Sequence, residues 1–260
     1  MVADVPSGPL PPSGPQPDGS ELVRVLSYNI RSLRDDRTAL VRVVRACDPD
    51  LVCVQESPRF WLPRQQAAWL ARATGLMVLS GGLSAAGPLL LGRLRAVPQS
   101  VHDVFLPRTP GLYQRGFATS VLRLGRAAPV VLTSCHLSLD RRERHLQCEL
   151  LLEHLELVRA AAGTPHAVVG GDFNEAPEAP GRRLLAERLQ DGHAVAPWGI
   201  SGIPVRGPRF QRIDAVYATP GLQVLGCGIP DLPGRDLLAA TDHLPVLALL
   251  RLPAAAEHKA

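Results

Sequence analysis

AVVGGDFNEAP, residues 167–177, begins as an apolar run and stops abruptly on two glycines, an acid and, one residue further, an amide. Ala-Val-Val reads as a short buried strand, and the glycines mark a change of direction at its end. Asp172 and Asn174 are two residues apart, so on extended backbone both side chains point the same way. That pair could simply close an Asx turn. The other reading is a strand that delivers an acid and an amide to one edge of a sheet.

Working outward, residues 140–162 place Leu146, Leu150, Leu151, Leu155 and Val158 on one stripe, which predicts the longest helix, ended by Gly163. Before it, 76–79, 88–91, 101–105, 117–124 and 130–135 are short apolar runs separated by Gly and Pro, a strand-rich section with turns. Further back, a strand over 22–27 runs to Tyr28 and Asn29, and 51–54 is a second strand leading to Gln55 and Glu56. Between them, Leu40, Val43, Val44 and Cys47 predict a helix over 37–47, which Asp35 or Asp36 could cap. Residues 62–74 read as another helix, closed by Gly75. Downstream, 180–189 reads as a short helix, and 213–217, 222–225 and 245–250 as strands. The elements alternate irregularly, with consecutive strands in the middle, unlike a simple doubly wound sheet. No linker interrupts 22–250. One domain over 21–252 is therefore expected, with a flexible Pro/Gly-rich tail at 1–20 and a loose end at 253–260.

Strand after strand in this reading ends on a polar residue. Asn29 ends the first, Glu56 follows the second, His136 follows 130–135, and Asp172 and Asn174 follow 167–169. Asp214 stands at the start of 213–217, and Asp242 and His243 precede the last strand. Each has a bland explanation: Asn29 a turn, Glu56 a cap, Asp214 a surface partner of Arg212. Polar strand ends can also converge on one rim of a sheet scaffold, where loops carry function.

The bulk composition sets looser bounds. The chain has 260 residues, long enough for a sizeable core, with 46% hydrophobic and 4% aromatic residues, so Leu, Val and Ala must fill most of it. The formal net charge of +4 suits an anionic substrate without demanding one. Five cysteines at 47, 53, 135, 148 and 227 match no metal motif and sit mostly in apolar runs. Buried reduced thiols in a reducing, cytoplasmic compartment are expected. The N-terminal residues have no basic and apolar segments of the secretory kind. The longest apolar stretch, 75–92, is broken by glycines and Pro88, so no membrane span is expected.

The ordered set LSYNI (26–30), VQES (54–57), SCHLS (134–138), GGDFNEAP (170–177), RIDAVYA (212–218) and TDHLPV (241–246) resembles the endonuclease/exonuclease/phosphatase superfamily, whose fold is that of deoxyribonuclease I. The likeness covers roughly 22–250. It implies a four-layer α/β/β/α sandwich, two mixed sheets face to face with helices outside and the site at one edge of the paired sheets. It implies a phosphoester hydrolase of the phosphodiesterase or nuclease type. Glu56 would be the principal metal ligand, with Asn29 and Asp242 completing or orienting that shell. Asp172 and Asn174 would position the attacking water and the phosphate. His243 would stand beside the scissile phosphate with Asp214 as its paired acid, and His136 would contact the phosphate or help the leaving group. Arg115, in YQRGFATSVL, stands where relatives often carry a basic residue and could bind substrate phosphate or be solvated.

Such chemistry suits Mg²⁺, which prefers hard oxygen ligands, with Mn²⁺ as a substitute; no Cys/His cluster points to zinc instead. Pro88, in GPLLLGRL, departs from a family segment that commonly has Asn there. The loops are short, without a long basic insertion for duplex DNA and without an obvious apolar hairpin for membranes. The expected partner is a phosphoester, either nucleic acid or a small or lipid phosphodiester, acted on by a monomer. The rival is a non-catalytic phosphate- or nucleic-acid-binding module that keeps the fold.

Overall fold

The computed structural model describes residues 8–200 and 212–255. In chain order the elements are β1 (Gly14–Pro15), β2 (Glu21–Asn29), α1 (Arg37–Cys47), β3 (Leu51–Gln55), α2 (Pro63–Thr74), β4 (Met77–Gly81), β5 (Leu89–Gly92), β6 (Ala96–Val101), β7 (Val104–Phe105), β8 (Gly116–Leu124), β9 (Val130–His136), α3 (Arg141–Ala162), β10 (Ala167–Asp172), α4 (Pro180–Ala186), β11 (Gln190–Asp191), α5 (Gly192–Val195), β12 (Asp214–Ala218), β13 (Gln223–Gly228), α6 (Gly234–Ala240) and β14 (Val246–Leu252). The first sheet runs β13-β14-β2-β3-β5-β4 with β1 on β2, and the second runs β11-β12-β10-β9-β8-β6 with β7 on β8.

Three apolar clusters make the four layers. Val25, Leu51, Cys53 and Leu90 of the first sheet meet Leu122, Leu132, Val168 and Val216 of the second. The outer face of the first sheet, with Leu26, Val52 and Leu91, is covered by Leu40, Val44, Leu70 and Leu237 from α1, α2 and α6. The outer face of the second, with Val131, Val169 and Tyr217, is covered by Leu151, Leu155 and Leu185 from α3 and α4. Residues of β2 alternate between the two faces, Val23 and Val25 inward and Leu26 and Tyr28 toward the helices. A strand buried on both sides reads as a continuous apolar run rather than an alternating one. The α/β/β/α sandwich is therefore as expected.

Local signals set most boundaries. Asp36, not Asp35, caps α1 by accepting the Thr38 and Ala39 N–H groups, and Gly75 and Gly163 end α2 and α3 in the left-handed region. The expected run 101–105 divides between β6 and β7, and the expected helix over 180–189 stops at Ala186. Residues 8–20, expected to belong to a loose tail, lie against the first sheet. Gly14 and Pro15 pair with Leu22 and Glu21, and Arg24 donates to the Leu10 and Pro11 carbonyls. At the other end Ala254 bridges to Ala127. The residues 1–7 and 256–260 of the expected tails lie outside the described residues. All five cysteines are free and buried.

The sheets approach closely beneath one edge. A Cβ built on Gly170 would lie 2.7 Å from Cys53 Cβ and 2.9 Å from its Sγ. Gly170→Ala is therefore expected to destabilise the fold by roughly 1–3 kcal/mol, the usual cost of overpacking. A thermal melt checks this, and an unchanged midpoint would mean that the sheets have room to part there.

Strand direction then fixes where the polar ends go. β2 and β3 are parallel with Asn29 opposite Gln55, and β9 and β10 are parallel with His136 opposite Asp172. Antiparallel β12 places Asp214 opposite Asp172. His136, Asp172 and Asp214 thus form one row across the second sheet, at the edge where β2 and β3 of the first sheet also end.

Candidate functional site

Asn29 joins the two halves of this edge. Its side chain is fully buried, and its Nδ2 donates to Glu56 Oε1 at 3.2 Å and to Asp172 Oδ2 at 3.0 Å. Its Oδ1 accepts the Arg31 N–H at 3.0 Å, which requires an acceptor and so fixes which way the amide faces. Glu56 is held in the left-handed region with φ +54°, an unusual conformation for a residue with a side chain, while its carboxylate stays partly open to solvent. Thr241 Oγ1 donates to the Asn29 carbonyl at 3.1 Å, which brings the loop before β14 to the same rim. Asp242 follows, 3.5 Å from Arg31 Nε.

On the facing half, His243 Nδ1 lies 2.8 Å from Asp214 Oδ2, and its Nε2 lies 3.7 Å from Asp172 Oδ2. His136 Nε2 is 3.5 Å from the same Asp172 oxygen, and its Nδ1 is 4.0 Å from Glu56 Oε1. Asp172 Oδ1 accepts the Asn174 N–H at 3.0 Å, and Asn174 Nδ2 donates to the Leu137 carbonyl at 2.9 Å, with Asn174 at φ +52°. The Asx turn and the presentation of polar groups are thus one arrangement. Glu56, Asp172, Asp214, Asp242, His136, His243, Asn29 and Asn174 all meet at one rim.

Burial and charge set distinct states for the two imidazoles. Burial alone would lower His243, but the Asp214 hydrogen bond and charge, helped by Asp172 and Asp242, raise it to about 9. Burial holds His136 well below the usual histidine range, reinforced by the cations Arg115, His243 and Arg59. Near neutral pH one ring is therefore cationic and the other neutral. Burial, then the Asp214 charge, push Asp172 up to about 7 against the opposing effects of His243 and the hydrogen bonds from Asn29 and Asn174. Arg115 is lowered by burial, against the pull of Asp172 and Glu56. Its Nε is buried with no hydrogen-bond partner among the described residues, as is Asp214 Oδ1. An unmatched buried donor beside two carboxylates fits a position that receives an anion.

The donor set suits a hard divalent cation. Glu56, Asp242 and Asp172 offer carboxylate oxygens, and the thiols lie in the core. Asp172, Asp214 and His243 make the tightest group, with one ligand atom from each within 4.8 Å of the others. The His243–Asp214 hydrogen bond already commits two of these, so the open carboxylate of Glu56 is the better cation position.

Several further residues support the site. Gln55 Nε2 donates to the Cys53 carbonyl at 2.9 Å and to Ser134 Oγ at 3.2 Å, and Ser134 Oγ donates to the Val54 carbonyl at 2.8 Å, joining the sheets under the site. Arg144 donates to Glu175 Oε2 at 3.0 Å and to the Ser138 carbonyl at 2.8 Å, which clamps the loop after His136 to the loop after Asp172. Fully buried Arg182 holds Tyr217, Asp191 and the Arg212 carbonyl just ahead of Asp214. A lone Arg in a helix sequence looks like any surface cation until the fold buries it. His154 is a packing residue, 3.0 Å from Thr119 Oγ1 and tilted against Phe117.

The sequence profile of the endonuclease/exonuclease/phosphatase family matches residues 26–243. No curated protein sequence matches this chain. Among solved structures, an endonuclease/exonuclease/phosphatase from Bacteroides vulgatus is 20% identical, with 89% of this chain and 99% of that chain covered and a TM-score of 0.72. A mannosyl-6-phosphatase from Bacteroides thetaiotaomicron is 16% identical over 88% of this chain and 99% of its own, with a TM-score of 0.71. The human nocturnin catalytic domain with bound sulfate is 20% identical over 88% of this chain and 93% of its own, with a TM-score of 0.65. At these identities the structures are alike in fold.

Proposed function

This chain belongs to the endonuclease/exonuclease/phosphatase family, and on that premise we propose that it is a Mg²⁺-dependent hydrolase of phosphoester bonds. The observation that carries the reading is the geometry around Asp172. A carboxylate poised near neutrality lies between an Asp214-paired imidazolium and an amide that also holds Glu56.

Glu56 and Asp242 would hold the cation, with Asn29 orienting the Glu56 carboxylate rather than supplying an oxygen. Mg²⁺, or Mn²⁺ in its place, would when bound supply Lewis acidity to the phosphoryl oxygens. Asp172 takes a proton from the attacking water, whose oxygen bonds to phosphorus as the bond to the leaving oxygen breaks. Its raised pKa suits a base working near neutral pH. Asn174, its amide fixed by the Leu137 carbonyl, orients that water. Cationic His243, steadied by Asp214, stabilises the charge that gathers on the phosphoryl oxygens. Neutral His136 donates a hydrogen bond to the phosphate, and Arg115 adds its charge. A neutral imidazole held far below its usual range is a poor acid, so the leaving oxygen takes its proton from solvent.

The expected partner is a phosphoester, with the chain acting as a monomer in a reducing, cytoplasmic compartment, a setting that five buried free thiols support. No helix among the described residues is long and apolar enough to cross a membrane. Hydrolysis of single-stranded DNA, duplex DNA, sphingomyelin and inositol phosphates, each with Mg²⁺ and with EDTA, tests the reading. Glu56→Ala is expected to lose more than about a hundredfold in activity while keeping its circular dichroism. Activity that survives both EDTA and this substitution would reject the cation-dependent mechanism. A folded wild type inert on every substrate would favour the binding module.

A further inference from the structure

The residues after Glu56 leave the site as SPRFWLP and expose three large apolar side chains in a row. Phe60 is 82% exposed, Trp61 87% and Leu62 59%. Trp61 and Leu62 both have positive φ, an uncommon conformation for residues with side chains. Arg59 fixes the loop to the rim by donating to the Ala86 carbonyl at 3.2 Å and to the Gln114 carbonyl at 3.3 Å. The second contact joins it to the loop that carries Tyr113, 73% exposed, and Arg115. Leu139, also exposed, stands three residues after His136 on the same edge. Contiguous exposed apolar patches of this kind mark interaction surfaces.

The segment that carries these side chains is basic: between Glu56 and Asp140 the one acid is Asp103, against nine arginines, of which Arg93 and Arg95 pair with Asp48, Asp50 and Glu21. Asp103 is occupied elsewhere, accepting from Gly81 N, Ser84 Oγ and Thr119 N. Arg59, Arg64 and Arg108 accompany the apolar residues, with Arg64 and Arg108 exposed.

We propose that this rim docks on an anionic phospholipid surface, with Phe60, Trp61 and Leu62 entering the interfacial region and the arginines meeting the headgroups. Trp and Tyr beside arginines form the composition that settles at a bilayer interface. A single strand of nucleic acid would also meet the charge and stack on the aromatics, but the aliphatic Leu62 and Leu139 give its bases nothing to stack on. Docking would present headgroup phosphates to the cleft. That consequence rests on the phosphoester reading, whereas the docking does not.

Cosedimentation of the full chain with phosphatidylcholine vesicles, with and without phosphatidylserine, tests this, together with the tryptophan emission. Binding is expected with phosphatidylserine, about tenfold weaker without it, with emission shifted to the blue. Changing Phe60→Ser and Trp61→Ser together, at exposed positions that leave the core intact, is expected to weaken binding at least about tenfold. Glu56→Ala is expected to bind vesicles as the wild type does, so failure of docking and failure of catalysis are read separately. A wild type that stays off the vesicles, a double variant that binds as well as wild type, or a Trp61 signal obtained from a single-stranded oligonucleotide alone would overturn the proposal.

Discussion

Asp214→Asn is expected to lower kcat/KM by roughly 10²–10⁴ and to move the alkaline limb of its pH profile toward neutrality. Asp214 is the first group that holds His243 at about 9 against the effect of burial, through a 2.8 Å hydrogen bond and its charge. Asparagine keeps the shape and removes the charge, so the ring loses its proton at lower pH and ceases to stabilise the phosphoryl oxygens. The sign for stability follows from linkage. A folded-state value raised above the unfolded 6.5 gives stabilisation that is complete below about 6.5 and lost as the pH rises through about 9. The wild type should therefore lose stability across that interval, and the variant should lose less. Initial rates and melting curves from pH 6 to pH 10 measure both effects. An alkaline limb that stays in place would mean that His243 is not the cationic group.

Asp172→Asn carries the second large effect, a rate loss of roughly 10²–10⁴ because no base remains for the water. Its stability effect is opposite in sign to that of an ordinary paired carboxylate. The folded value near 7 exceeds the ordinary 3.8 of the unfolded chain, so the folded state holds the proton more tightly and the wild type loses stability as the pH rises between these two values. The variant lacks this loss. In EDTA, the difference in melting midpoint between variant and wild type should move in favour of the variant from pH 5 to pH 7. The change is on the order of 1 kcal/mol per pH unit. The absolute difference carries a further cost, since an amide N–H at this position meets the Asn29 Nδ2 that now donates to Asp172. A midpoint difference independent of pH would show that Asp172 ionises normally.

Nearly every long element was legible in the sequence because apolar period and end signals agreed there, as in α1 with Asp36 and α3 with Gly163, whereas the four layers were what the family resemblance implied. The short element α6, GRDLLAA, escaped because seven residues with two Leu make no stripe. The segment at 8–20 looked like a tail by composition, yet it is held mainly through backbone, with Gly14, Leu10 and Pro11 supplying main-chain contacts that composition cannot report. The residues proposed for the site were legible for a geometric reason. A polar residue at a strand end is conspicuous after an apolar run, and strand direction then carries it to the edge. The groups that hold them were not legible. Arg144 and Arg182 acquire their roles only from burial and from partners tens of residues away, and nothing in their neighbourhoods in the chain marks them.

Neither sheet owns the reactive edge: Asn29, Glu56, Asp242 and His243 arrive with one, His136, Asp172, Asn174 and Asp214 with the other, and the Asn29–Asp172 contact spans 143 residues of chain. A partly folded species in which each sheet had formed separately could possess nearly all of its secondary structure and no catalytic competence. Turnover is thus a gauge of tertiary assembly. During refolding it should lag behind ellipticity, because the late, distant pairing of the two halves is the event that it counts.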